Sequence, residues 1–202
     1  MLREFCGRSR IKIKMDLKQI ADKVFCYTEP NFKANIYYID DTKKVQIDAG
    51  AVLDKPVDIL FLTHCHVDHI LKAAEIKRKN PGCTIAASEE AAVHIKNMDE
   101  VTVANQVSIN VERFRVDLVL DEGAKLFLGQ YKFKVMKVPG HTSGDLVLYE
   151  PTAEILFSGD CWFKGDDIGR WDLPTGNLRE LKQSVNRLKE LKVKVLCSGH
   201  AY

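Results

Sequence analysis

Residues Thr63 to His69 read THCHVDH, three histidines and an aspartate within six residues, directly after the apolar run Ile59 to Leu62. Imidazole and carboxylate together are the ligands of zinc, iron and manganese. In an extended segment residues 64, 66 and 68 share one face. Residue 69 points away unless the chain has already turned into a helix. The motif can therefore serve two neighbouring ions, His64 and His66 on one, Asp68 and His69 on the other.

Three further strand ends look alike. Val135 to Val138 runs into Pro139-Gly140-His141, Ile155 to Phe157 into Ser158-Gly159-Asp160, and Val195 to Cys197 into Ser198-Gly199-His200. Glycine before the polar residue permits a positive φ and a close backbone approach. Four polar ends thrown the same way predict convergence at one edge of the sheets. His141, His200 and a bridging Asp160 would then complete two sites of about four ligands each. A lone HxHxDH also fits a decorated helix start; four such pieces in this order do not. His94 falls mid-helix and reads as a surface residue. Cys65 and Cys161, beside the motif residues, read as small buried side chains, with soft metal ligation as the alternative.

The elements that must hold these residues are mostly short apolar strands. Val24–Tyr27, Asn35–Ile39, Val45–Ile47, Ile59–Leu62 and Thr84–Ala87 come first. Val116–Leu120, Lys125–Leu128, Tyr131–Val138, Leu146–Tyr149, Ile155–Phe157 and Val193–Cys197 follow. Their Val, Ile and Tyr content suits strands. Asp121-Glu122-Gly123 and Leu128-Gly129-Gln130 read as hairpin turns. Three helices are expected: 69–79 after an Asp68 N-cap, 88–96 from Ser88, and 178–191 after Asn177. The last carries Leu178, Leu181, Val185, Leu188 and Leu191 at helical spacing, a core-packing stripe. Sheets with helices packed outside follow from this mixed order.

Composition narrows the class. The chain has 202 residues, 46% hydrophobic and 29% charged, enough for one domain with a large core. A net charge of +2 argues against a dedicated nucleic-acid binder. Residues 1–14 hold five basic side chains against Glu4, a local +4, which leaves about −2 for the remainder. That stretch lacks the apolar centre of a secretory signal. It reads as a basic extension, or as a start placed too early with Met15 the true one, ahead of a single domain over 15–202. No run approaches the ~18–20 apolar residues of a membrane span. Six cysteines without a CxxC pair suggest reduced thiols and a cytoplasmic protein.

From about residue 20 onward these residues resemble the metallo-β-lactamase-fold superfamily. Thr63–His69 matches its HxHxDH motif, and Pro139-Gly140-His141-Thr142-Ser143-Gly144 its second histidine motif. Ser158-Gly159-Asp160 and Ser198-Gly199-His200 resemble its bridging aspartate and final histidine. Asp48-Ala49-Gly50 resembles the early turn that supports the site. Ile155 to Asn177, with its core Gly169-Arg170-Trp171-Asp172, is similar to glyoxalase II-like hydrolases and persulfide dioxygenases.

The resemblance implies an α+β fold, a four-layer αββα sandwich of two mixed sheets face to face with helices outside. It implies one ion on His64, His66 and His141, a second on Asp68, His69 and His200, and Asp160 between them. Zinc is expected, with iron or manganese as alternatives. The resemblance gives Arg170 a substrate-binding role near the thiol carrier, with a structural salt bridge as the alternative. The implied activity is a glyoxalase II-like thioesterase, a metal-bridging hydroxide held by Asp68 attacking a small-molecule acyl-thiol. The other reading is a mononuclear non-haem iron persulfide dioxygenase on His64, His141 and Asp160. Full-length glyoxalase II enzymes continue into a helical domain past the last ligand, whereas this sequence stops at Tyr202. An open site, or a homodimer roofing it, is expected from that. Neither nucleic acid nor membrane is expected as a partner.

Overall fold

The computed structural model describes residues 15–200, so the basic stretch 1–14 lies outside the described residues, as do Ala201 and Tyr202. Two mixed sheets form the centre. The first has seven strands in sequential order: β1 (Lys18–Ala21), β2 (Val24–Thr28), β3 (Asn35–Asp40), β4 (Lys44–Ile47), β5 (Ile59–Phe61), β6 (Thr84–Ala87) and β7 (Leu118–Val119). Its first half is an antiparallel meander, and β4 to β7 run parallel. The second sheet holds β8 (Lys125–Phe127), β9 (Lys132–Lys137), β10 (Leu146–Glu150), β11 (Ile155–Gly159) and β12 (Val195–Ser198), in the order β12-β11-β10-β9-β8. Only its β11–β12 pair is parallel.

Strand alternation explains the layers. Tyr37, Ile39, Val45, Ile47 and Phe61 point from the first sheet into a core shared with Phe133, Val135, Leu148 and Phe157 of the second. The opposite faces are apolar too, as befits strands covered on both sides. Leu60, Leu62 and Ile85 pack beneath α1 (Val67–Ile70), α2 (Ala73–Lys79) and α3 (Glu89–Asn97). Met136, Val147 and Leu156 pack against Leu181, Val185 and Leu188 of α4 (Leu178–Lys189). The result is the expected αββα sandwich. Ser88 and Asn177 cap α3 and α4 through their side chains, as expected. Among the described residues no helix is long and apolar enough to cross a membrane.

Three local expectations need correction. The single helix over 69–79 is two short helices, and Asp68 is not its N-cap. His66 holds the cap position of α1, without a side-chain cap bond, and Asp68 lies inside the first turn. The break comes from the turn after β4. Ala49 donates its N–H to the His69 carbonyl and accepts the Lys72 N–H, at 2.6 and 2.7 Å. Those two bonds take groups that a continuous helix would pair internally. Next, Asp121 to Gly123 is not a hairpin turn. It carries the chain from β7 in one sheet to β8 in the other, with Gly123 N–H bonded to Val135 O. Leu128 to Gln130 does close the β8–β9 hairpin. Finally, β1 has no counterpart in the sequence reading, and the strand expected at 116–120 pairs only over two residues.

Candidate metal centre

All four polar strand ends meet at one edge of the sandwich. The first sheet contributes residues 64–69, after β5. The second contributes His141 after β9, Asp160 after β11 and His200 after β12. Parallel pairing of β11 with β12 sets Gly159 beside Ser198, so Asp160, the next residue on one strand end, and His200, two residues along on the other, become neighbours. A Cβ on Gly199 would overlap Asp160 Oδ1, so only glycine fits there. Gly140 is required for a different reason: its φ is +138°, and a side chain there would collide with the Leu181 backbone of α4.

The contacts form two clusters. His141 Nε2 lies 2.8 Å from His66 Nδ1, and the His64 ring stands edge-on to both. His69 Nε2 is 3.3 Å from His200 Nε2 and 3.6 Å from Asp68 Oδ2. Asp160 sits between: Oδ1 is 3.5 Å from His69 Nε2, and Oδ2 is 3.5 Å from His141 Nε2 and 3.3 Å from His200 Nε2. Candidate ligand atoms of His64, His66 and His141 lie within 4.8 Å of one another, as do those of Asp68, His69 and His200. A tetrahedral site with bonds of about 2.1 Å has ligand–ligand edges of about 3.4 Å. Most of these spacings are near that value. His94, on α3, is apart, bonded to Asp99 just beyond that helix.

Side chains behind the ligands fix which nitrogen faces inward. Asp48 accepts from His69 Nδ1 at 2.8 Å and from the Thr63 hydroxyl at 3.0 Å. Thr63 Oγ1 lies 2.9 Å from His64 Nδ1. Asp48 therefore ends two chains, and both rings turn Nε2 into the site. His141 gives its Nδ1–H to the Arg170 carbonyl at 2.7 Å. Among the described residues the buried His64 Nε2, His66 Nε2 and Asp160 Oδ1 have no hydrogen-bond partner. Orphaned buried donors and acceptors are rare in folded proteins. A cation at the foci would accept the lone pairs of His64 Nε2 and Asp160 Oδ1, so the donor set fits divalent metal.

The two clusters differ in charge state. Burial, then the neighbouring imidazoles, push His64 well down and His66 down to about 3. Both are neutral ligands at any ordinary pH. Burial also opposes charge on His69 and His200, but carboxylates outweigh it. Asp68 and Asp48 raise His69 to about 9, and hydrogen bonds to Asp160 and Asp68 raise His200 to about 10. Burial resists ionisation of Asp68 and Asp160 as well, and the facing histidines reverse it and hold both low. Cys65 and Cys161 are buried thiols pushed up by burial, and neither joins a candidate ligand group.

Arg170 is brought to the cleft wall, where its guanidinium forms a two-pronged pair with Asp172, at 2.9 and 2.7 Å. Two supports were missed in the sequence. One is the Arg170 carbonyl, since a backbone group leaves no trace in residue type. The other is Asp145, buried and accepting from His141 N, Thr142 N and Thr142 Oγ1. Its place four residues after His141, in a loop of small polar residues, was the available signal.

A family model described as the metallo-beta-lactamase superfamily matches residues 33–200. A probable metallo-hydrolase of Methanocaldococcus jannaschii is 30% identical over 187 residues, 84% of this chain and 88% of the relative. Hydroxyacylglutathione hydrolase GloC of Haemophilus influenzae is 30% identical over 153 residues, 73% of this chain and 70% of the relative. Among solved structures, TTHA1623 in a di-iron-bound form superposes with a TM-score of 0.76 at 25% identity, covering 88% of this chain and 92% of that one.

Proposed function

The chain belongs to the metallo-beta-lactamase superfamily and is a metallo-hydrolase; from that premise we propose that it hydrolyses acyl thioesters. The observation that carries this reading is the meeting of five imidazoles and two carboxylates around two foci in one open cleft. Thioester specificity is supported by the Gly169–Asp172 loop on the cleft wall and by relatives named hydroxyacylglutathione hydrolase.

We assign His64, His66 and His141 to one cation, Asp68, His69 and His200 to the other, and Asp160 to both. Zinc is our first choice of metal; iron is the alternative, since a similar fold is described in a di-iron form. When bound, such cations lower the pKa of a water held between them, to ~7 for a single zinc, and polarise a thioester carbonyl. The chain's own residues do the rest. Asp68, kept ionised by His69 and His200, turns Oδ2 to both rings as a ligand atom and leaves Oδ1 to orient the attacking water. Asp48, through His69 directly and His64 by way of Thr63, holds both rings in one tautomer. Asp160 stays a carboxylate, so it faces both clusters without a proton of its own. No serine or cysteine nucleophile takes part: Cys65 and Cys161 are buried and held as thiols.

Elemental analysis of the isolated protein beside two assays tests this. Zinc with thiol release from a thioester is expected. Iron with oxygen uptake on a persulfide would replace the thioesterase by the dioxygenase. His66→Ala and Asp160→Ala should each abolish turnover and lower bound metal, with moderate loss of fold. Full activity in either would refute the ligand assignment.

A further inference from the structure

The cleft over the two clusters has a volume of about 440 Å³, the size of a small-molecule site. Besides the histidines, Lys33 and Arg170 bring cationic side chains to its lining. They are not equivalent. Arg170 already has its anion, the two-pronged Asp172. Lys33 is exposed and has no ion-pair partner among the described residues.

Lys33 is also held in an unusual way. It sits between β2 and β3 with φ +61°, a left-handed conformation that disfavours a side chain with a Cβ. Its loop is braced from within. The buried Glu29 accepts from Asn31 Nδ2 at Oε1, and from the Asn31 and Phe32 amides at Oε2. Both Glu29 oxygens are therefore engaged by the loop itself. The far end is tied to the metal centre: Ala34 bridges to His200, and Asn35 N–H bonds Gly199 O at 2.7 Å. The residue next to Lys33 is thus registered against a ligand-bearing strand end. A strained residue held on a braced loop points to a task at that place. Phe32, Val103, Phe163 and Leu173 give the same cleft apolar walls.

We propose that Lys33 is the specificity-determining anchor for the anionic end of the substrate, a thioester whose thiol carrier bears a carboxylate or phosphate. This rests on the thioesterase reading. The apolar walls take the uncharged part, and the braced loop sets the distance from ammonium to scissile bond. Arg170 lines the same cleft, with its charge directed to Asp172.

The test uses the metal-loaded protein and three thioesters of one acyl group, on glutathione, on coenzyme A and on uncharged N-acetylcysteamine. Lys33→Asn removes the charge and keeps a residue tolerant of the left-handed conformation. Lys33→Arg keeps the charge. In Lys33→Asn the preference for an anionic over the uncharged thioester, as a ratio of kcat/KM, should fall about five- to tenfold. Lys33→Arg should restore it. Whichever carrier loses more identifies carboxylate or phosphate as the anion. A ratio unchanged by Lys33→Asn would overturn the proposal. If the wild type cleaves no thioester, the thioesterase reading fails by itself. Lys33 is then judged by calorimetric titration with the uncleavable S-methyl thioethers of glutathione and coenzyme A. Weaker binding to Lys33→Asn upholds the anchor; equal binding, or none to either protein, overturns it.

Discussion

Replacing Asp48 by Asn keeps the volume and the left-handed backbone, φ +62° here, which asparagine tolerates well. It removes one acceptor from a pocket where His69 and Asp48 are 0% and 2% exposed. Asp48 now serves the Thr63 amide and hydroxyl through Oδ1 and His69 Nδ1 through Oδ2. An amide has one oxygen and one NH₂. Turned one way, its NH₂ faces His69 Nδ1 and drives the ring proton to Nε2, the atom aimed at Asp68, Asp160 and His200. Turned the other way, the NH₂ opposes the Thr63 amide. Each arrangement leaves a buried donor unpaired when a cation binds, which costs about 1–3 kcal/mol. That converts to a loss of about 5- to 150-fold in affinity at the Asp68, His69 and His200 cluster. The other cluster meets Asp48 only through Thr63 and should weaken less. Competition against a chromophoric chelator, with metal counted per chain, resolves the two affinities. Wild-type affinity for both ions in Asp48→Asn would show that the tautomer is not what Asp48 controls.

Metal-free protein should be most stable near pH 6.5. His69 and His200 are raised above their unfolded value of ~6.5, so their stabilisation is full below that pH and drains away as pH climbs through about 9 and 10. His64 and His66 are lowered, so below pH 6.5 the unfolded chain binds their protons first and stability falls. Thermal melts of chelator-treated protein that stay flat from pH 7 to 10 would contradict this. Metal loading at pH 7.5 should also expel protons, readable with an indicator dye. Gly199→Ala pushes a methyl group into Asp160 Oδ1 and should cost about 1–3 kcal/mol of stability while lowering metal content. Unchanged metal stoichiometry would place Asp160 outside the ligand set. Asp145→Ala strands the buried His141 and Thr142 amides at about 1–2 kcal/mol each, a drop of about 4–15 °C in Tm; a melt within 2 °C of wild type would disprove it.

The ligand candidates were legible because each follows a short apolar strand, and strands that share a direction end at a shared edge. The layer order was legible for a related reason: β5, β6 and β11 read as unbroken apolar runs, the mark of strands covered on both faces. What escaped was tertiary. Nothing in residues 69–79 announces a helix break, because Ala49, twenty residues earlier, takes the His69 carbonyl and the Lys72 amide. Asp121 to Gly123 has good turn residues, but local chemistry does not say whether the chain returns to the same sheet. β1 carries Lys18 and Gln19 on an edge, half exposed, and has little apolar pattern to see. Asp68 has the type of an N-cap, but His69 and His200 draw its carboxylate toward the centre of the site instead.

Each metal cluster draws side chains from both sheets, His64 and His66 with His141, Asp68 and His69 with His200. A bound cation would therefore act as a rivet through the binding of a half-open book, with the two covers otherwise joined at that edge by bonds such as Leu146 N–H to Thr63 O. Pulling the rivets out loosens the spine along its whole length, not one page. Amides of β5 and β11, far apart in the chain, should then lose protection from exchange together when chelator is added.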